Sequence, residues 1–143
     1  MEVKIKLLDP RAIVPTRGSA EAAGADLRTL DALTVPAHKT VQAHTGIAIE
    51  LPVGYAAFVY ARSGMALKKG IAPANKVGVV DSDYRGEIMV SLHNHTDEAV
   101  DIEAGERIAQ LVIAPVVLPD FVVCDSLADT ERGAGGFGST GTK

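Results

Sequence analysis

Asp81, Asp83, Tyr84 and Arg85 crowd into one stretch, Gly78-Val79-Val80-Asp81-Ser82-Asp83-Tyr84-Arg85-Gly86-Glu87. Two carboxylates one residue apart, beside a phenol and a guanidinium, can activate a water, take part in a polar binding site or sit harmlessly in solvent. The last of these is the ordinary reading, because Asp, Ser and Gly all supply turn chemistry. Val79 and Val80 end an apolar run, and Glu87-Ile88-Met89-Val90-Ser91-Leu92 resumes an alternating one. The sequence therefore predicts a β-hairpin with a charged tip.

Four other segments carry polar groups with a chemical use. Arg62-Ser63-Gly64 lies in the one convincing helical pattern, the stretch Ala61 to Gly70, with Ser63 as the expected N-cap and Gly70 as terminator. A helix start beside an arginine presents unpaired N–H groups and a guanidinium to an anion. Asp26, between Ala25 and Leu27, reads by itself as a turn or cap residue. Gln110 interrupts the apolar run Ile108 to Leu118, so its amide must find buried partners or face a site. The tail, 131–143, reads as a Gly-rich arm after a folded domain spanning 1–130. Arg132, Gly138, Ser139 and Thr140 could wrap an anion, and Phe137 could stack on a base.

The elements that must position these groups are mostly strands. Val3, Ile5 and Leu7 alternate with Lys4 and Lys6, as in a half-buried strand. Thr40 to Tyr60, broken at Pro52 and Gly54, suggests two more strands joined by a turn. In the stretch after the hairpin, Ile88, Val90 and Leu92 should face inward, with Met89, Ser91 and His93 outward. His93 and His95 share a face, but no third ligand stands at recognisable spacing, so an exposed strand end is the preferred reading.

Composition narrows the class. The chain has 143 residues, 47% hydrophobic, enough for one domain with a real core. Its net charge of −4, with acidic and basic residues interspersed, offers no basic stripe for a nucleic-acid backbone, and no apolar run approaches a membrane span. No nucleic-acid or membrane partner is expected. Cys124 is the sole cysteine, so it forms no intrachain disulfide; in Phe121-Val122-Val123-Cys124 it reads as a buried structural thiol. These features point to a cytoplasmic protein.

Three short motifs fail on context. Gly133, Gly135 and Gly138 spell a dinucleotide fingerprint and nearly a P-loop, but no helix can follow before the chain stops. Asp81, Asp83 and Gly86 imitate a calcium loop, yet Leu92 stands where its last carboxylate belongs.

Taken together, five segments resemble the trimeric dUTPase family in order and spacing: Ala23-Gly24-Ala25-Asp26-Leu27, Arg62-Ser63-Gly64-Met65-Ala66, Asn75 to Gly86, Gly105-Glu106-Arg107-Ile108-Ala109-Gln110, and Arg132 to Gly141. They span nearly the whole chain. Ala25 and Ala61 depart from the pattern without removing a polar group.

The resemblance implies an all-β, jelly-roll-like sandwich with one short helix, a homotrimer with shared sites, and Mg²⁺-assisted hydrolysis of dUTP to dUMP and pyrophosphate. That reaction limits uracil entering DNA and supplies dUMP for thymidylate synthesis. By resemblance, Asp81 activates the water that attacks the α-phosphorus. Arg62, Ser63, Gly64, Arg132, Gly138, Ser139 and Thr140 bind phosphates, Tyr84 lies against the deoxyribose and Phe137 stacks on uracil. Asn75, Val79, Val80 and Met89 select the base. Asp26 and Gln110 reach the metal through water, with no direct protein ligand. A dCTP deaminase of the same fold and a non-catalytic β-sandwich regulator remain as alternatives, separated by ammonia release from dCTP and by dUTP binding without turnover.

Overall fold

A computed structural model of this chain describes residues 1–136. They run through β1 (Lys4–Leu7), β2 (Thr16–Arg17), β3 (Ala25–Arg28), β4 (Leu33–Val35), β5 (Thr40–His44), β6 (Ile47–Glu50), β7 (Tyr55–Tyr60), α1 (Ser63–Lys69), β8 (Ile71–Pro73), β9 (Gly78–Val80), β10 (Met89–Asn94), β11 (Val100–Ile102) and β12 (Arg107–Pro115). The architecture is all-β with one short helix, as the alternating patterns predict. A five-stranded sheet has the order β2-β3-β12-β7-β9, a three-stranded sheet the order β5-β10-β8, and β1-β6 and β11-β4 form two-stranded pairs. Every pairing is antiparallel.

The separate sheets share one core. Leu27 of β3, Val59 of β7 and Leu111 of β12 pack in the same cluster as Val35, Ile47, Ile71, Val90, Leu92 and Ile102 from the other sheets. The alternation in β10 holds: Ile88, Val90 and Leu92 are buried, while Met89, Ser91 and His93 face outward. Asn94 closes that strand inside the core. Its amide donates to the carbonyls of Val35 (2.9 Å) and Glu98 (2.7 Å), and its carbonyl accepts from the Thr96 amide and hydroxyl. A buried amide satisfied on all sides fixes the end of the strand instead of weakening it.

Helix α1 has seven residues, too few to persist alone. Met65 anchors it in the core, a burial worth roughly 1.5–3 kcal/mol. Gly70 ends it in the left-handed conformation (φ 63°), donating back to Ala66 and Met65.

Five sequence expectations are corrected. The N-cap is Arg62, not Ser63, and no side chain caps the helix; Ser63 is the first helical residue. The segment Thr40 to Tyr60 forms three strands, because Gly46 (φ 68°) turns the chain between β5 and β6. β9 and β10 do not form a hairpin: β9 pairs with β7, whereas β10 pairs with β5 and β8. The two strands belong to different sheets and diverge. Cys124 is exposed, as are Phe121, Val122 and Val123. Leu7, at the end of β1, is exposed as well. No helix among the described residues is long and apolar enough to cross a membrane.

Candidate active site

The divergence of β9 and β10 opens a cavity of about 240 Å³. Asn75, Val79, Val80, Asp81, Tyr84 and Met89 all line it, together with Gln42, Glu87 and Ser91. Its two walls are strand edges without partners. β9 is the last strand of its sheet, and β8 covers β10 only from Leu92 to Asn94, leaving Met89 and Val90 free on that side. Unpaired edges present alternating N–H donors and C=O acceptors. The cavity can therefore read a planar polar ligand with its backbone.

The tip between the strands is ordered by its own hydrogen bonds. The Tyr84 N–H donates to the Asp81 carbonyl (3.2 Å), and Arg85 donates to the carbonyls of Ser82 (2.7 Å) and Tyr84 (3.0 Å). The Tyr84 hydroxyl donates to the Glu87 carbonyl (3.0 Å), laying the ring across Gly86, where any Cβ would collide with it. Asp81 is exposed at the cavity wall and makes no side-chain hydrogen bond among the described residues, so its carboxylate is free to meet a ligand.

A second group lies on the five-stranded sheet. The register sets Gln110 of β12 opposite both Asp26 of β3 and Tyr60 of β7, so the three stand in one row. Gln110 Nε2 donates to the Ala61 carbonyl (2.9 Å). Its Oε1 lies so close to Gly24 that a side chain there would strike it. Asp26 accepts from Arg62 Nε (2.7 Å) and from Arg107 Nη1 (3.2 Å). Its carboxylate is largely buried, and the strand position overturns the turn-or-cap reading. Next to this row, a cavity of about 280 Å³ is lined by Arg62, Gly64, Lys68, Lys69, Glu106 and Arg107. Lys69 is neutralised by Glu106 at 2.7 Å, leaving Arg62, Lys68 and Arg107 to set a positive local field shared with Asp26.

The two groups are apart within one chain. Val80 pairs with Ala57 of β7, and Arg62 follows five residues farther along, still extended at φ −96° and ψ 135°. At the strand rise of ~3.3 Å per residue, that is roughly 16 Å. Asp81 continues in the direction away from Arg62. Arg132 belongs to neither group; it is exposed and donates to the Gly135 carbonyl (2.8 Å). Phe137, Gly138, Ser139 and Thr140 lie outside the described residues.

Several contributors escaped the sequence reading. Gln42, Glu87 and Ser91 line the cavity, and Arg107 and Lys68 join the cationic group. Arg107 sits 81 residues from Asp26 and Glu87 sits 43 from its partner His44, separations at which local sequence gives no signal. His93 and His95 stack edge to face at 4.6 Å, and His93 Nδ1 pairs with the Thr40 hydroxyl. Desolvation, with the positive charges of His93, Lys76 and His38, holds His95 below its ordinary value. No set of three His, Cys, Asp or Glu suited to a metal occurs among the described residues.

A family model for dUTPase matches residues 10–141. A deoxyuridine 5'-triphosphate nucleotidohydrolase from Nautilia profundicola is 48% identical over 141 residues, covering 99% of each chain. Another, from a Hydrogenobaculum species, is 47% identical over the full length of both. Among solved structures, the Staphylococcus bacteriophage 80alpha dUTPase with dUpNHpp aligns with a TM-score of 0.92 at 27% identity, over 99% of each chain. These likenesses identify the sheet arrangement as the jelly-roll-like β fold. This chain belongs to the dUTPase family.

Proposed function

We propose that this chain hydrolyses dUTP to dUMP and pyrophosphate, as a homotrimer in which each site is completed by a neighbouring subunit. The observation that carries the reading is Asp81 and Tyr84 together on a cavity walled by two free strand edges. Uracil offers two carbonyls flanking an N–H, a pattern that strand backbone and Asn75 can match. Cytosine would present a donor where an acceptor is required, leaving a desolvated group unpaired at a cost of roughly 1–3 kcal/mol. Thymine would add a methyl group against Val79, Val80 or Met89. The Tyr84 ring would lie against the deoxyribose, leaving no room for a 2′-hydroxyl.

Asp81 would take a proton from a water as the water oxygen bonds the α-phosphorus. The bond from that phosphorus to the oxygen bridging to the β-phosphate then breaks, and pyrophosphate leaves. Arg62, Ser63 and Gly64 would hold the phosphates, with Asp26, which also accepts from Arg107, fixing the Arg62 side chain in place. In the arm, Arg132, Gly138, Ser139 and Thr140 would close over the γ-phosphate, and Phe137 would stack on the base.

The residues fit Mg²⁺ in an outer-sphere role. Gln110 Oε1 accepts no hydrogen bond among the described residues, and Asp26 keeps further lone pairs beyond its two arginine bonds. Both are oxygen acceptors of the kind that hold the water shell of an ion reluctant to dehydrate. When bound to the triphosphate, the ion would neutralise its charge.

Two observations support the oligomer. Roughly 16 Å of sheet separates Asp81 from Arg62 in the same chain, which favours drawing the two from different copies. The segment after β12 also leaves Val117, Leu118, Phe121, Val122, Val123 and Leu127 exposed, between 69% and 98% each. Apolar side chains in such number call for a covering surface. A groove of about 840 Å³, lined by Val3, Ile5, Val14, Ile49, Leu111 and Ile113 with Thr16, Arg17 and Ser19 beside them, offers one on a second copy. Residues 1–130 would then form the domain and 131–143 the arm. The exposed free thiol of Cys124 suits a reducing, cytoplasmic compartment. There the reaction would limit uracil in DNA and feed thymidylate synthesis.

Pyrophosphate release from each dNTP and from UTP, with and without Mg²⁺, tests the reading. Strong preference for dUTP, abolished by Asp81→Asn, is expected. Ammonia from dCTP, or dUTP bound without turnover, would overturn it.

A further inference from the structure

Among the described residues, Glu87 alone lines both the nucleoside cavity and a second cavity of about 390 Å³, lined also by Leu8, Asp9, Arg11, Asp31, His44 and Gly46. Its side chain and its backbone face opposite ways. On the rear side the carboxylate accepts from the Gly46 N–H (2.8 Å) and pairs with His44 Nδ1 (2.9 Å). On the front side its carbonyl accepts from the Tyr84 hydroxyl (3.0 Å). The peptide joining Glu87 to Ile88 is held between them, because the Ile88 N–H donates to the Ile47 carbonyl (2.8 Å). In a trans peptide the C=O points opposite to the N–H. Anchoring the plane on the Ile47 side therefore aims the Glu87 carbonyl at Tyr84.

The platform behind Glu87 is rigid. Gly46 is left-handed (φ 68°), and a Cβ there would meet Leu30 at 2.8 Å and Ala12 at 2.9 Å. Its carbonyl accepts from the Leu8 N–H (2.7 Å). The Thr45 hydroxyl donates to the Ile88 carbonyl. The segment His44 to Ile47 thus grips the chain at residues 87 and 88 through both side chain and backbone.

We propose that Glu87 is a positioning residue for sugar selection: gripped by His44 and Gly46, it holds the carbonyl that orients the Tyr84 ring against the sugar. This rests on the reading of the cavity as a dUTP site. Ring contact alone excludes a hydroxyl only if the ring cannot swing, and the Tyr84 to Glu87 bond is what stops it. Loosening Glu87 should therefore admit ribonucleotide before it abolishes hydrolysis.

The test compares kcat and KM for dUTP and UTP in the wild type, Glu87→Ala, Glu87→Gln, His44→Leu, Tyr84→Phe and the Glu87→Ala/Tyr84→Phe pair. Glu87→Ala and Tyr84→Phe should each raise the UTP-to-dUTP ratio of kcat/KM by roughly tenfold, and the pair by no more than either alone, as expected for two parts of one linkage. Glu87→Gln keeps an acceptor for Gly46 and should stay within about threefold of wild type. An unchanged ratio in Glu87→Ala, or fully additive effects in the pair, overturns the proposal. Should Glu87→Ala fail to fold, His44→Leu carries the same expectation and the same refutation. A wild type that turns over neither nucleotide would defeat the dUTP reading itself, a result distinct from an unchanged ratio in an active enzyme.

Discussion

Gln110 Nε2 donates to the carbonyl of Ala61 (2.9 Å), so the amide of β12 holds the residue immediately before Arg62. Asp26 holds Arg62 itself at 2.7 Å. The start of α1 is positioned from the neighbouring strands, with no side-chain hydrogen bond capping it.

Gly24 makes that arrangement possible by leaving space for the Gln110 carbonyl. Gly24→Ala should push the amide aside, costing about 1 kcal/mol of stability for the lost hydrogen bond. Because the proposed water-mediated metal contact moves with it, kcat/KM should fall by at least about tenfold. Thermal unfolding and steady-state kinetics on one preparation check both.

Asp81→Asn removes the proposed base while keeping the shape of the tip. We expect kcat to fall by roughly 10²–10⁴, with dUTP binding within a few-fold of wild type. A rate near wild type would place the base elsewhere.

Sharing of sites predicts complementation. Asp81→Asn and Arg62→Ala chains, each inactive alone, should recover part of the activity when refolded together, since some sites would then draw Asp81 and Arg62 from different intact copies. Sedimentation of the wild type should give a trimer. An active monomer, or no recovery on mixing, would return the whole site to one chain.

Glu87 predicts an acid-sensitive term. Burial works against its carboxylate, but the His44 ring and the Gly46 and Thr45 amides outweigh it and hold the group below its ordinary value. A lowered folded value means stabilisation is complete above the unfolded value and is lost as pH falls through the folded one. Asp9, Arg11 and Asp31 line the cavity on the same side, and the Arg11 guanidinium holds the Asp9 carboxyl below its ordinary value as well. Wild-type Tm should therefore drop below about pH 4.5, and Glu87→Gln should flatten that limb while lowering Tm at pH 7. Scanning calorimetry between pH 3 and 7 measures the difference.

The alternation of Ile88, Val90 and Leu92 and the short helix ended by Gly70 were legible in the sequence, because period and turn chemistry are local properties. Asp81, Tyr84, Asn75, Val79, Val80 and Met89 were named through the family resemblance, and the fold brings them to one cavity. Cys124 was misread because an apolar run says that a segment seeks burial without saying whose surface provides it. Ser63 was misread because a strong capping residue stood one position past the cap.

What the sequence by itself determined is therefore which groups exist and which strands and turns carry them. Strand pairing across the chain decided the rest. It separated β9 from β10 and made a cavity where a hairpin was expected. It set Asp26 between Arg62 and Arg107, and Glu87 against His44. Those partners are 36 to 81 residues apart, and only the competition among strands for edges and core brings them together.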